Sequence, residues 1–283
     1  MPSAEQIIAA NDKLVTLPAI FARVKRVVDD PDSTPIDLAT AISTDPAMTA
    51  RVLKLVNSAF WGFSRHVESL SRAVSLLGMI QVHDLVLATS VGQTFDRMRP
   101  QLMDVAKFWR GSVLRGLAAT ALARKGDLVD LGRVFTEGLM SDLGHMLLYL
   151  NTPELAARAL EQSGATPREL AQAERALIGC DFAQVGGALA DAWKLPPCFG
   201  EAIRHQIEPQ GAGAEALEAS LLHVASIVAQ SHESHQDPAA AESRIAPFAW
   251  QALGLDASCL PEITAEAQAN LAATVQLFGA TAA

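Results

Sequence analysis

The sequence predicts an all-α fold, and three observations support that prediction. The first is composition: half of the 283 residues are hydrophobic but only 5% are aromatic. Ala and Leu, which supply much of the apolar surface, are strong helix formers, whereas strands draw on β-branched and aromatic residues. The second is punctuation. Thr34-Pro35, Asp45-Pro46, Thr152-Pro153 and Thr166-Pro167 each set a side-chain oxygen before a proline. The oxygen can accept from an orphan N–H of a first helical turn, and the proline stands where no donor is needed. Asp37 follows Pro35 by two residues, and Glu169 is placed to complete a capping box with Thr166. The third is period. Met48, Val52, Leu55 and Val56 fall at i, i+4, i+7 and i+8. Leu70, Val74 and Leu77 repeat that stripe, as do Val105, Trp109, Val113 and Leu117. No alternating strand pattern and no Asn-Gly or Asp-Gly hairpin turn opposes this reading.

At 30.0 kDa the chain can bury a sizeable core, as one large domain or as two lobes. Its mean hydropathy is +0.20, yet no uninterrupted apolar stretch reaches the roughly 18 residues of a spanning helix. Met1–Asn11 carries Glu5 and lacks a basic region followed by an apolar run, so no secretory signal is expected there. Cys180, Cys198 and Cys259 are isolated and odd in number, which fits a reducing, cytoplasmic location better than a disulfide framework. The net charge of −9 opposes general attraction to nucleic acid or to anionic lipid. Breaks are expected at Asp29–Pro35, Gly62–Glu68, Arg99-Pro100, Gly126–Gly132 and Pro209–Gly213, with a polar loop over Ser231–Glu242. No internal repeat of fixed period is present.

Four stretches carry a family likeness. They are Leu17-Pro18-Ala19, then Asp45–Leu53 leading into Asn57-Ser58-Ala59-Phe60-Trp61-Gly62, then Ser69–Ala73 with Leu76-Leu77-Gly78, and finally Gly138–Gly144. From Leu14 to Pro209 the chain resembles the HDOD domain, a non-catalytic relative of the HD phosphohydrolases. The resemblance implies an N-terminal helical bundle, 14–100, packed on a degenerate HD-like helical lobe, 101–209. Residues 214–283 would form a helical extension completing that second lobe. Relatives are associated with bacterial signal transduction, often beside response-regulator or cyclic-di-GMP domains, and this chain would act as a stand-alone module.

HD enzymes hold divalent metals on His and Asp side chains, and the metal activates water against a phosphate ester. By the resemblance, the first ligand position falls on Gly111 after Phe108-Trp109-Arg110, and the His-Asp pair falls on Ser141-Asp142. A later His falls on Phe182 and the final Asp on Ser226, leaving Asp142 and His205 as the recognisable donors. One carboxylate and one imidazole are fewer than the three protein ligands of a typical catalytic zinc site. No metal and no other cofactor is therefore expected. Asp142 and His145 share a helix face at i, i+3. They read either as a rebuilt acid/base or metal pair with His205, or as a solvated or mutually hydrogen-bonded remnant in a former active-site cleft.

Other patterns give less. His232-Glu233-Ser234-His235 is one residue short of the zincin spacing. Gly211–Ala216 imitates a dinucleotide fingerprint without a preceding strand. Cys180 reads as a small buried hydrophobe rather than a nucleophile. Asp37–Ile42 followed by Met48–Lys54 imitates a helix-turn-helix that would present Thr49, Arg51 and Lys54 to DNA, but Asp45 would repel phosphate. Phe60, Trp61 and Phe63 could anchor a partner or plug the seam between lobes, with Asn57 tying their loop to the backbone. The expectation is thus a non-catalytic regulatory, protein-interaction domain whose partners are other signalling proteins. A small molecule could occupy its vestigial cleft. The alternatives are a metal-dependent phosphohydrolase using Asp142, His145 and His205, and a DNA-binding protein.

Overall fold

In a computed structural model, described over residues 1–11, 16–58, 61, 63–95, 98–128, 130–164, 166–234 and 241–278, the chain is helical, with no strand among these residues. Three of the four predicted caps form. Thr34 opens α3 (Pro35–Ser43) through a capping box with Asp37, and Asp45 opens α4 (Pro46–Val56) by accepting from Met48 N–H. Thr166 opens α11 (Pro167–Leu177) through a capping box with Glu169. Thr152 differs: its hydroxyl donates to the Leu148 carbonyl at 2.9 Å. Only one residue separates α9 (Leu143–Asn151) from α10 (Pro153–Gln162), so the last carbonyls of α9 are within reach and compete for the side chain.

The N-terminal lobe comprises α2 (Ala19–Asp29), α3, α4 and α5 (Leu70–Leu77), each packed on its neighbours. Met48, Val52, Leu55 and Val56, the predicted stripe of α4, are all buried. Asn57 closes the loop beyond it: its amide donates to the carbonyls of Leu53 and Val67 at 2.9 and 2.8 Å and accepts from Val67 N–H at 2.7 Å. α6 (Met79–Phe95) is buried almost all round from Val82 to Gly92, because it packs on α2, α4 and α5 on one side and on α8 (Leu131–Met140) on the other. It joins the two lobes.

The second lobe is built on α7 (Val105–Lys125), which packs against α8, α14 (Ala216–Glu233) and α16 (Leu260–Val275). Around it lie α9, α12 (Phe182–Ala192), α13 (Pro197–His205) and α15 (Pro247–Leu253). The sequence pattern missed α1 (Ala4–Ala10), which Ser3 and Gln6 close with a capping box and which packs on α12 and α9, in the second lobe. A further correction falls on the predicted loop from Ser231. α14 continues through Glu233, and Ser231 is buried because the helix stays packed against α7 to its end. No single helix among the described residues is long and apolar enough to cross a membrane.

Candidate functional site

Gly111 and Arg115 lie one turn apart on α7, facing the junction of α8 and α9 that carries Ser141 and Asp142. Arg115 Nη2 is 2.6 Å from Asp142 Oδ2, and both side chains are close to nine-tenths buried. A Cβ on Gly111 would overlap the carboxylate of Glu233, from the last turn of α14, and would stand 3.1 Å from Arg115 Nη1. A protein cation and a second carboxylate therefore fill the space around Asp142 and Gly111. Ser141 is committed to the backbone: its hydroxyl donates to Gly138 O at 2.8 Å, and its carbonyl accepts from Gln206 Nε2 at 2.7 Å.

Asp142 and His145 do not bond each other. His145 Nδ1 lies 3.2 Å from Glu174 Oε1, an ion pair rather than a well-aligned hydrogen bond. Glu174 is fully buried on α11, and its other oxygen accepts from Phe182 N–H at 2.9 Å. The Phe182 ring, at the position that the resemblance gives to a metal-binding His, stacks on the His145 imidazole with centroids 3.9 Å apart. Burial is the largest single influence on His145 and lowers its pKa, but Glu174 and Asp142 acting together outweigh it and the net shift is upward. His145 is thus disposed to be a charged partner of Glu174 rather than a neutral metal ligand. His205 contacts Glu201, with Nε2 3.6 Å from a carboxylate oxygen. Among the described residues no three His, Cys, Asp or Glu side chains gather as a metal site. The donors that remain do not fit a catalytic divalent ion.

Phe182 and Ser226 do come together, in the wall of a cavity of about 570 Å³ that Gln206 and His223 also line. His223 Nδ1 lies 2.9 Å from Gln206 O, while Nε2 accepts from Ala246 N–H at 3.0 Å. Burial pulls its pKa down, so His223 is a neutral strut with the proton on Nδ1.

The sequence pattern missed the partners. Arg115 carried a usable signal, since it lies four residues after Gly111 and so shares its helix face. Glu174 carried none, because its pairing with α9 and α12 crosses from one helix to others. A buried cluster between α6 and α8 was also invisible. Glu137 is fully buried with neither oxygen hydrogen-bonded, beside Arg133 at 3.8 Å, and burial drives its pKa well up.

The remaining candidates resolve simply. Trp61 and Phe63 are half-buried against the core, while Phe60 and Gly62 lie outside the described residues. His232 contacts Gln268 on the last turn of α14, and His235 lies outside the described residues. Residues 209–215 form two 3₁₀ turns, with no strand before them. Thr49 donates to Ile42 O at 3.3 Å, back towards α3. Cys180 is buried, and burial pushes its thiol up to about 11, away from nucleophilic reactivity at neutral pH.

The HDOD domain family profile matches residues 14–209. An uncharacterized protein of Treponema pallidum (strain Nichols) is 28% identical over 192 residues, 65% of this chain, and the chain spans 36% of the length of that curated relative. Two solved structures share the fold. One, a presumptive phosphohydrolase of Shewanella amazonensis SB2B, is 24% identical with a TM-score of 0.75, covering 98% of this chain and 99% of that one. The other, a presumptive signal transduction protein of Marinobacter aquaeolei VT8, is 24% identical with a TM-score of 0.67, covering 95% of this chain and 60% of that one. With the matched profile spanning well over half of an all-helical chain, the protein belongs to the HDOD domain family.

Proposed function

We propose that this chain is a non-catalytic regulatory domain of bacterial signal transduction that works in the cytoplasm through contacts with other signalling proteins. One observation carries the reading: the Asp of the former His-Asp pair, Asp142, is neutralised by Arg115 of its own chain. An enzyme of this superfamily needs that carboxylate free to hold a metal, and the guanidinium stands on it instead. Gly111 and Phe182 offer no donor atom, and the Ser141 hydroxyl is bonded to its own helix. The Marinobacter protein of the same fold, named for signal transduction, agrees with a regulatory role.

The test is turnover. Protein supplied with Mn²⁺, Mg²⁺ or Zn²⁺ should hydrolyse neither bis(p-nitrophenyl) phosphate nor a nucleoside monophosphate faster than Asp142→Ala. Metal-dependent hydrolysis that this substitution abolishes would favour the rival reading, a phosphohydrolase with an unorthodox site.

A further inference from the structure

The two lobes meet where α6 lies on α8, and the helices approach closely there. A Cβ on Gly132 would stand 3.3 Å from the Gln81 carbonyl oxygen, and the Thr136 hydroxyl donates to Asp84 O at 3.0 Å. Two carboxyl groups are shut into this seam. Glu137, on α8, is wholly buried, and neither of its oxygens accepts a hydrogen bond from a described group. Asp84, on α6, is 2% exposed; Oδ1 lies 2.9 Å from His83 Nδ1, and Oδ2 is buried without a hydrogen-bond partner. His83 is buried as well, with Nε2 unpartnered. Its ring centroid lies 5.2 Å from that of Phe21 on α2, so the cluster reaches into the N-terminal lobe.

The charges around Glu137 do not balance. Arg133, one turn earlier on α8, donates to Glu218 of α14 at 3.0 Å. It stands 3.8 Å from Asp130, just before α8, and 3.8 Å from Glu137, and its Nε makes no hydrogen bond. One guanidinium thus faces Glu137, Glu218, Asp130 and Asp84 together. Of the other helices packed on α8, α7 carries Arg115, which is taken by Asp142, and α13 carries Cys198, 4.0 Å from Arg133 Nη1. In such a place an ionised carboxyl is far costlier than the neutral acid, and each neighbouring carboxylate adds to the cost. Burial drives the Glu137 carboxyl well above its usual range against the pull of Arg133, and Glu218, Asp84 and Asp130 push the same way. Burial raises Asp84 too, against its bond to His83.

We propose that this seam is a proton-operated latch, in which Glu137 carries a proton while α6 and α8 are closed on each other and releases it as they part. Loss of the proton in the closed form would leave a bare carboxylate among three others, and parting the helices hydrates it. The direction of the effect follows from linkage. The closed form keeps a proton that an exposed glutamate has already lost. Closure is therefore strongest below the ordinary glutamate pKa and weakens as pH rises towards that of the buried acid. Acid tightens the seam and alkali loosens it. The inference is independent of whether the site at Asp142 turns anything over.

Infrared spectroscopy in D₂O tests the proton directly, through the carbonyl stretch of a neutral carboxylic acid. At neutral pH the parent should show such a band from Glu137, and Glu137→Gln should lose it. Urea denaturation between about pH 5 and pH 8, above the ordinary glutamate pKa, gives the second readout. The unfolding constant of the parent should rise relative to that of Glu137→Gln by up to about tenfold per pH unit, the limit for one proton released. Amide hydrogen exchange, corrected for its intrinsic pH dependence, should show α6 and α8 losing protection with pH in the parent and not in the variant. The inference falls if Glu137→Gln removes no acid band, or if the unfolding constants or the exchange of the two proteins change with pH in parallel. Should Glu137→Gln not fold, Glu137→Met, apolar and of similar length, replaces it in all three measurements. Failure of both neutral variants to fold would mean that the position requires a charge, and would overturn the latch equally.

Discussion

Arg115→Leu is expected to destabilise the protein by about 3–5 kcal/mol, the scale of breaking a buried ion pair from one side. The cause is what stays behind. Asp142 lies 2.6 Å from the guanidinium with its side chain about nine-tenths buried, and leucine would leave that carboxyl buried without its ion-pair partner. Arg115→Leu combined with Asp142→Leu should recover most of that loss, because replacing both members of a buried pair by apolar groups is often neutral. Urea denaturation of the three variants and the parent measures this directly. A loss below about 1 kcal/mol for the single variant would mean that the pair behaves like a solvated one. It would also mean that Asp142 is available to other cations.

The second large effect is predicted for Gly144→Ala. α9 and α12 cross with backbones in near contact, so a Cβ at Gly144 would overlap the Phe182 carbonyl oxygen and stand 2.7 Å from its carbon and 2.9 Å from Gly186 N. Those are backbone atoms, and no rotamer change can relieve them. The cost should reach or exceed about 3 kcal/mol, the upper end for overpacked cores. Displacing α12 would also lift Phe182 from His145 and from the Glu174 carboxylate that accepts its N–H. Gly126→Ala makes the control: its Cβ would meet only ordinary contacts, the nearest at 3.5 Å. A shift in the denaturation midpoint for Gly144→Ala no larger than that control would contradict the packing described.

Much of the fold was legible because its signals are local. Caps at Thr34, Asp45 and Thr166 need only a side chain and the three residues that follow it, and they form as read. Thr152 could not be read correctly, since its hydroxyl chooses between two helices and only their spacing in three dimensions decides. α1 was missed because seven residues give too few turns for a stripe, and its packing on α12 and α9 is set by the tertiary structure. At the candidate site, Gly111, Ser141, Phe182 and Ser226 were singled out only because the family resemblance gives them metal-ligand positions. What fills the space was not legible. Arg115, Glu174 and Glu233 reach the cleft from three different helices, and such pairings leave no period in a single chain.

The central claim is that the chain's own arginine has taken the place of a metal at Asp142. Metal analysis of protein purified without a chelator and without a nickel column tests it most directly. The account predicts no stoichiometric manganese, iron, zinc or nickel, and no difference in metal content between the parent and Asp142→Ala. One equivalent of a transition metal in the parent, lost in Asp142→Ala, would contradict it.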